Sequence, residues 1–171
     1  MNKALFLDRD GVVNIEKDYL YKIEDFEFID GIFDICTYYK NMNYDIFIIT
    51  NQSGIARGYY KEEDFCKLTS WMKEQFLNHG IEIKKVYFCP HHPSISQKCS
   101  CRKPKPEMLL MAKNEFDIDL KNSIIIGDKE TDIEAGMNAG LQESYLLDES
   151  GITKDSKATK IVSKLKDILE K

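Results

Sequence analysis

The sequence has no apolar run approaching the ~20 residues of a membrane-spanning helix, so no membrane role is expected. Its first strand-like stretch, Ala4 to Leu7, runs straight into Asp8 with neither an apolar h-region nor a small-residue cleavage site, and a cytoplasmic protein is expected. Basic residues are in deficit. Lys and Arg number 24 against 29 Asp and Glu, and a net charge of −5 offers no basic face for the phosphates of nucleic acid. There is no internal repeat and no low-complexity linker, and no apolar stretch is left without a place in a core, so the expected state is a monomer. The five cysteines are an odd number, which argues against a disulfide framework.

What is present suits one globular domain over residues 1–171, with 43% hydrophobic and 31% charged residues. Strand-like and helix-like segments alternate. Ala4–Asp8, Ile46–Thr50, Lys85–Cys89, Ser123–Ile126 and Ser144–Leu147 read as strands. Helices are predicted at Gly31–Met42, Lys61–His79, after Pro106, around Ile133–Ala139, and as a last amphipathic segment carrying Ile161, Leu165 and Ile168. This alternation predicts an α/β, Rossmann-like fold, a parallel sheet with helices on both faces. Ligands bind such sheets beyond the carboxyl ends of the strands, where strand order reverses. The groups at those ends are Asp8 and Asp10, Thr50 and Asn51, Cys89, and Asp128.

Two of these ends carry recognisable chemistry. Asp8 and Asp10 share one strand tip just before Gly11, and two such close anions raise each other's pKa unless a cation or a shared proton intervenes. Cys89, Cys99 and Cys101 fall within thirteen residues, a density that favours a metal. With His91, or its neighbour His92, they complete a four-ligand set of the kind zinc prefers, and four protein ligands leave no open position, so the site is structural. Cys36 and Cys66 lie inside helix-like stretches and are expected to pack in the core, while His79 is expected at a helix end or on the surface.

Four segments in order, D-R-D-G from Asp8, a strand ending in Thr50, Lys103, and G-D-K-E-T-D from Gly127, resemble the four motifs of the haloacid dehalogenase (HAD) superfamily of phosphotransferases. With F-I-D-G, T-N-Q-S-G-I-A-R-G, C-P-H-H-P and C-x-C-R-K-P, the sequence is similar to the heptose bisphosphate phosphatase family within it, with the histidinol-phosphate phosphatases as near relatives.

The resemblance implies a phosphomonoesterase acting on a small sugar phosphate. Asp8 would be the nucleophile that becomes an aspartyl-phosphate, and Asp10 the general acid and base. Thr50 and Lys103 would hold the phosphoryl oxygens. Magnesium would sit on Asp8, the carbonyl of Asp10 and Asp128, with Asp132 just outside its ligands. The family register selects His91 to join Cys89, Cys99 and Cys101 around zinc, in a loop over residues 89–103. Contacts to the sugar phosphate are implied for Glu16, Lys17, Asp18, Tyr19, Asn51, Gln52, Ser53, Arg102, Lys103 and Lys129, with Arg102 able to fork onto a second phosphate.

Too few residues separate Gly11 from the first helix to hold a separate cap domain. The family's D-x-G-Y-V-H is here E-K-D-Y-L-Y, without its glycine and histidine. The alternatives are histidinol phosphate as substrate, a non-catalytic zinc-stabilised binding module, and a phosphomutase. An uncapped site that admits water disfavours the last.

Overall fold

Alternate residues of each central strand face opposite sides, and here both sides are apolar. In the computed structural model, which describes residues 1–170, Leu5 and Leu7 of β1 (Lys3–Leu7) enter one core with Ile46 and Ile48 of β2 (Tyr44–Asn51). Ala4 and Phe6 enter the other with Phe47 and Ile49, and the Phe6 and Phe47 rings stack at 5.5 Å. A strand buried on both faces needs this unbroken apolar run. With β3 (Ile83–Cys89), β4 (Ile124–Gly127), β5 (Glu143–Leu147) and β6 (Lys160–Val162) they form one parallel sheet in the order β3-β2-β1-β4-β5-β6.

Helices α1 (Ile32–Asn41) and α2 (Glu62–Asn78) cover the first face through Ile32, Ile35, Tyr39, Leu68, Met72 and Phe76. Helices α3 (Glu107–Phe116) and α4 (Glu130–Ala139) cover the second through Met108, Leu109, Ala112 and Ala135. The chain builds outward from β1 to β2 and β3, then returns to place β4 on the other side of β1. That reversal opens a crevice between the ends of β1 and β4, where Asp8 and Asp128 emerge. No helix among the described residues is long and apolar enough to cross a membrane.

Two expectations are corrected. The last segment is not a helix: Lys160–Val162 pairs in parallel with Tyr145–Leu147, and Leu165–Ile168 is a 3-10 turn. The edge of β5 left backbone groups in need of partners, and that demand outweighed the helical spacing of Ile161, Leu165 and Ile168. Leu165 and Ile168 still reach the core from the turn. Cys36 is buried as expected, whereas Cys66 is exposed, because it lies one position off the stripe formed by Phe65, Leu68, Met72 and Phe76. His79 ends α2, its Nδ1 2.9 Å from the Gln75 carbonyl oxygen and its ring stacked on Phe33.

Candidate active site

The floor of the site is a cluster of carboxylates around one ammonium. Asp8, Asp128 and Asp132 present oxygens within 4.8 Å of one another. Gly11 admits Asp128: a Cβ there would overlap the Asp128 carboxylate, and φ of +91° is a conformation that side-chain-bearing residues avoid. Gly127 does the same for Asp132, whose Cβ and carboxylate occupy the space a side chain at 127 would need. Asp132 also caps α4, accepting the Lys129 backbone N–H at 3.1 Å.

Lys103 is 3% exposed. Its Nζ lies 2.8 Å from Asp8, 2.6 Å from Asp132 and 3.0 Å from the Ile49 carbonyl oxygen. An ammonium has three N–H donors, and these partners take all of them. Burial works against its charge, but Asp132 and Asp8 outweigh burial and hold its pKa above the ordinary lysine value. Asn51 fixes the Lys103 backbone, accepting its N–H at 3.1 Å and donating to its carbonyl at 3.3 Å.

One ammonium does not neutralise this floor. Burial, then the Asp132 charge, pushes Asp8 up to about 6 against the pull of Lys103. Burial, then the charges of Asp8 and Asp132, pushes Asp128 to about 9. The Asp128 Oδ1 is buried with no hydrogen-bond partner. An all-oxygen set with excess negative charge and an orphaned acceptor fits a hard divalent cation. Asp132 is committed to Lys103 and to the α4 cap, which leaves Asp8 and Asp128 as the carboxylates free to hold it.

The sign of the pH dependence follows. Both groups have folded pKa values above the ordinary 3.8, so without a cation they weaken the fold as pH rises through about 4 to 6 for Asp8, and on to about 9 for Asp128. A cation must displace these protons. Its apparent affinity is therefore expected to rise from pH 5 to 8, with net proton release at pH 7. Calorimetric titration with magnesium in two buffers of different ionisation enthalpy measures that release, and an affinity independent of pH would contradict this picture.

Asp10 is held in a separate cradle. Its Oδ1 accepts from Arg9 Nη2 at 2.9 Å, Arg9 Nε at 3.3 Å and Asn14 Nδ2 at 3.0 Å, and its Oδ2 accepts from Gln52 Nε2 at 3.0 Å. Arg9 is itself 1% exposed and reaches on to the Leu20 carbonyl oxygen at 2.9 Å. Gln52 Nε2 also donates to Thr50 Oγ1 at 2.8 Å, and the Tyr60 hydroxyl donates to Gln52 Oε1, which fixes the amide orientation. Asp10 thus keeps one orientation, set by residues of the two loops that follow β1 and β2.

These groups open into a cleft of about 640 Å³. Of the residues expected there, Asp8, Asp10, Glu16, Asp18, Tyr19, Asn51, Gln52, Ser53, Arg102, Lys103 and Lys129 line it. Lys17 does not: its ammonium turns away to the Asp25 carbonyl oxygen and Glu27, at 2.7 and 2.6 Å. Thr50 and Asp128 lie beneath the lining, Thr50 at 1% exposed. Gly54, Arg57, Tyr60 and Thr131 line the cleft and were not expected. Gly54 and Arg57 lie within the T-N-Q-S-G-I-A-R-G motif and Tyr60 two residues past it, but only folding of that loop over the strand ends shows which of its residues point inward.

Beside the cleft, Cys89, His91, Cys99 and Cys101 converge, with Cys101 Sγ 2.8 Å from Cys89 Sγ and 3.4 Å from His91 Nδ1. Cys89 Sγ lies 3.6 Å from Cys99 Sγ. His92 faces elsewhere, its Nδ1 accepting the Ser94 N–H at 3.2 Å. For Cys99, desolvation is outweighed by the Arg102 backbone N–H and by its sulfur and imidazole neighbours, and the thiol is pushed down to about 6. A thiolate surrounded by two thiols and an imidazole is a ready set of soft metal donors.

The model of the HAD-hydrolase-like family matches residues 100–171. A Campylobacter jejuni protein, D-glycero-alpha-D-manno-heptose-1,7-bisphosphate 7-phosphatase, is 59% identical over 86% of this chain and 83% of its own length. The chain belongs to the heptose-bisphosphate phosphatase family of HAD-like hydrolases. A Burkholderia mallei relative of the same name is 43% identical over 98% of this chain and 92% of its own. Among solved structures, D,D-heptose 1,7-bisphosphate phosphatase from B. bronchiseptica, complexed with magnesium and phosphate, superposes with a TM-score of 0.83 at 27% identity, covering 98% of this chain and 96% of that one. The HAD-like fold therefore accounts for the crevice at β1 and β4.

Proposed function

We propose that this chain is a monomeric, single-domain, magnesium-dependent phosphatase that removes the 7-phosphate of a D-glycero-D-manno-heptose 1,7-bisphosphate, in the making of nucleotide-activated heptose for surface glycans. The observation that carries this reading is the pairing of two differently held carboxylates at one strand tip. Asp8 accepts the Lys103 ammonium and the Arg9 backbone N–H on one oxygen, Oδ1, and its other oxygen stays available for attack on phosphorus. Asp10 is fixed by four hydrogen bonds within reach of a leaving group. Relatives at 42–59% identity that carry this name for both anomers support the substrate class.

In the first step an Asp8 oxygen forms a bond to phosphorus as the sugar oxygen leaves with a proton from Asp10. In the second, Asp10 takes a proton from water, which attacks the aspartyl-phosphate and frees Asp8 and inorganic phosphate. Asp8, the Asp10 carbonyl and Asp128 would hold magnesium, which would supply the positive charge that lets an anionic phosphate approach an anionic nucleophile. The positive charge of Lys103, locked against Asp8, lowers the cost of the same approach, and it acts from a fixed position because all three of its donors are engaged. Thr50 accepts Gln52 Nε2 at its oxygen and so keeps its O–H to donate to a phosphoryl oxygen in place of the Asn51 carbonyl at 3.5 Å. Glu16, Asp18 and the Asn51–Ser53 loop are placed to receive the sugar hydroxyls.

Phosphate release from heptose 1,7-bisphosphate and from histidinol phosphate, with magnesium and then with EDTA, tests the reading. Magnesium-dependent turnover of the heptose with little of histidinol phosphate is expected. The reverse preference would move the enzyme to histidinol phosphate, and silence on both would leave a binding module.

The cysteine cluster is proposed to hold one structural zinc, tying residues 89–103 down so that Arg102 and Lys103 keep their aim. Cys101→Ser is expected to reduce bound zinc well below one per chain and to lower Tm by about 5 °C or more. Metal analysis alongside thermal unfolding checks both, and a variant with full zinc and wild-type Tm would remove Cys101 from the ligand set.

A further inference from the structure

Three residues of D-R-D-G have a place in the proposed reaction: Asp8 attacks, Asp10 handles the proton and Gly11 admits Asp128. Arg9 has none, yet it is 1% exposed and the largest of the fully buried side chains. Its one carboxylate partner among the described residues is Asp10, at 2.9 Å. A buried ion pair is a weak source of stability, because lost hydration offsets much of the attraction. The placing of this one points to the reaction instead.

The hydrogen bonds divide the two oxygens of Asp10. Oδ1 accepts three N–H groups, from Arg9 Nη2 at 2.9 Å, Arg9 Nε at 3.3 Å and Asn14 Nδ2 at 3.0 Å, which leaves it no room for a proton of its own. Oδ2 accepts only Gln52 Nε2, at 3.0 Å. The transferable proton therefore belongs on Oδ2. In the first step the Oδ2–H bond breaks together with the bond from phosphorus to the sugar oxygen, and the proton passes to that oxygen. In the second step Oδ2 takes a proton back from the attacking water.

Arg9 also reaches the wall of the cleft. Its Nη2 donates to the Leu20 carbonyl oxygen at 2.9 Å, and its guanidinium carbon lies 5.8 Å from the centre of the Phe65 ring on α2. Leu20 is anchored in the core, and it directly follows the stretch in which Glu16, Asp18 and Tyr19 line the cleft. One planar fork thus spans the carboxylate that protonates the leaving oxygen and the backbone of the loop against which the sugar bearing that oxygen would rest. We infer that Arg9 is a positioning residue for the leaving-group proton: it fixes Asp10 Oδ2 relative to the loop of residues 16–20, and so lines the proton up with the departing sugar oxygen. The inference rests on the proposed function, in which Asp10 is the general acid, and adds to it the residue that aims that acid. A lysine at the same place keeps the charge but has no fork to span both partners.

The test compares kcat/KM of wild type, Arg9→Lys, Arg9→Gln, Asp10→Asn and the double variant Arg9→Lys with Asp10→Asn on heptose 1,7-bisphosphate and p-nitrophenyl phosphate, with thermal unfolding of each protein. A sugar alkoxide needs the proton to leave, whereas p-nitrophenolate departs without one. Both Arg9 variants should lose about 10²-fold on the sugar phosphate, through kcat and not KM, and only about threefold on the aryl phosphate. In the Asp10→Asn background, Arg9→Lys should cost less than about threefold more on the sugar phosphate, because an arginine that acts through Asp10 then has nothing left to aim. This second comparison decides the matter if aryl turnover is too slow to follow. Equal losses on both substrates, or Arg9 and Asp10 effects that simply multiply, would show that Arg9 only supports the fold, as would failure of both Arg9 variants to fold. Each of these, in an enzyme whose wild type hydrolyses the heptose and depends on Asp10, overturns this inference and leaves the proposed function standing. A wild type silent on the heptose, or an Asp10→Asn protein as active as wild type, overturns the proposed function and the Arg9 assignment with it.

Discussion

Asp8→Asn is expected to abolish turnover, by roughly 10³-fold or more, in a protein that folds at least as well as wild type without added metal. The loss follows because an amide cannot form the phosphoryl-enzyme and the neighbouring carboxylates have other work: Asp128 is the remaining carboxylate proposed to hold the cation. Asp10 is tied into its cradle, and Asp132 is 1% exposed and bound to Lys103. The fold is retained because the Asp8 charge is disfavoured in the native state, where burial and Asp132 raise its pKa. A neutral side chain of the same shape removes that repulsion and still offers Lys103 an oxygen. Phosphate release, magnesium titration and thermal unfolding on one preparation check all parts of this expectation. Substantial activity in the variant would take the nucleophile role from Asp8.

Lys103→Met should have the opposite effect on stability. The ammonium is the sole counter-charge that the structure shows within 4 Å of both Asp8 and Asp132, and removing it strands two buried carboxylates. Breaking a buried pair from one side costs about 3–5 kcal/mol, so a marked drop in Tm and loss of activity are expected together. The double variant Lys103→Met with Asp132→Asn separates the two effects. It removes one stranded charge and should recover part of the stability while turnover stays lost. A Lys103→Met protein with wild-type Tm would show that the floor relaxes or takes up protons more easily than its geometry implies.

Much of this architecture is legible in single residues. The apolar runs Ala4–Leu7 and Ile46–Thr50 suit strands buried on both faces, and Asp8 and Asp10 at the tip of the first mark the crevice. Spacing alone brought Cys89, Cys99 and Cys101 into one candidate metal loop. Spacing failed at the chain end, where Ile161, Leu165 and Ile168 fit a helix that the open edge of β5 turned into a strand and a turn. It failed also at Cys66, one residue off an apolar stripe. The family resemblance failed at Lys17, whose neighbours line the cleft while its own ammonium pairs with Glu27.

The sequence by itself determined the fold class, the strand ends that carry chemistry and the gathering of three cysteines in one loop, because local periodicity and side-chain chemistry depend on near neighbours along the chain. Tertiary structure alone decided the partners of each charge. Lys103 meets Asp8 across 95 residues and Gln52 meets Asp10 across 42. Arg57 is left at the cleft mouth with an unmatched N–H. Pairings over such separations are set by how the sheet and its loops close around the crevice, and no local pattern encodes which cations are spent inside the protein and which remain for a ligand.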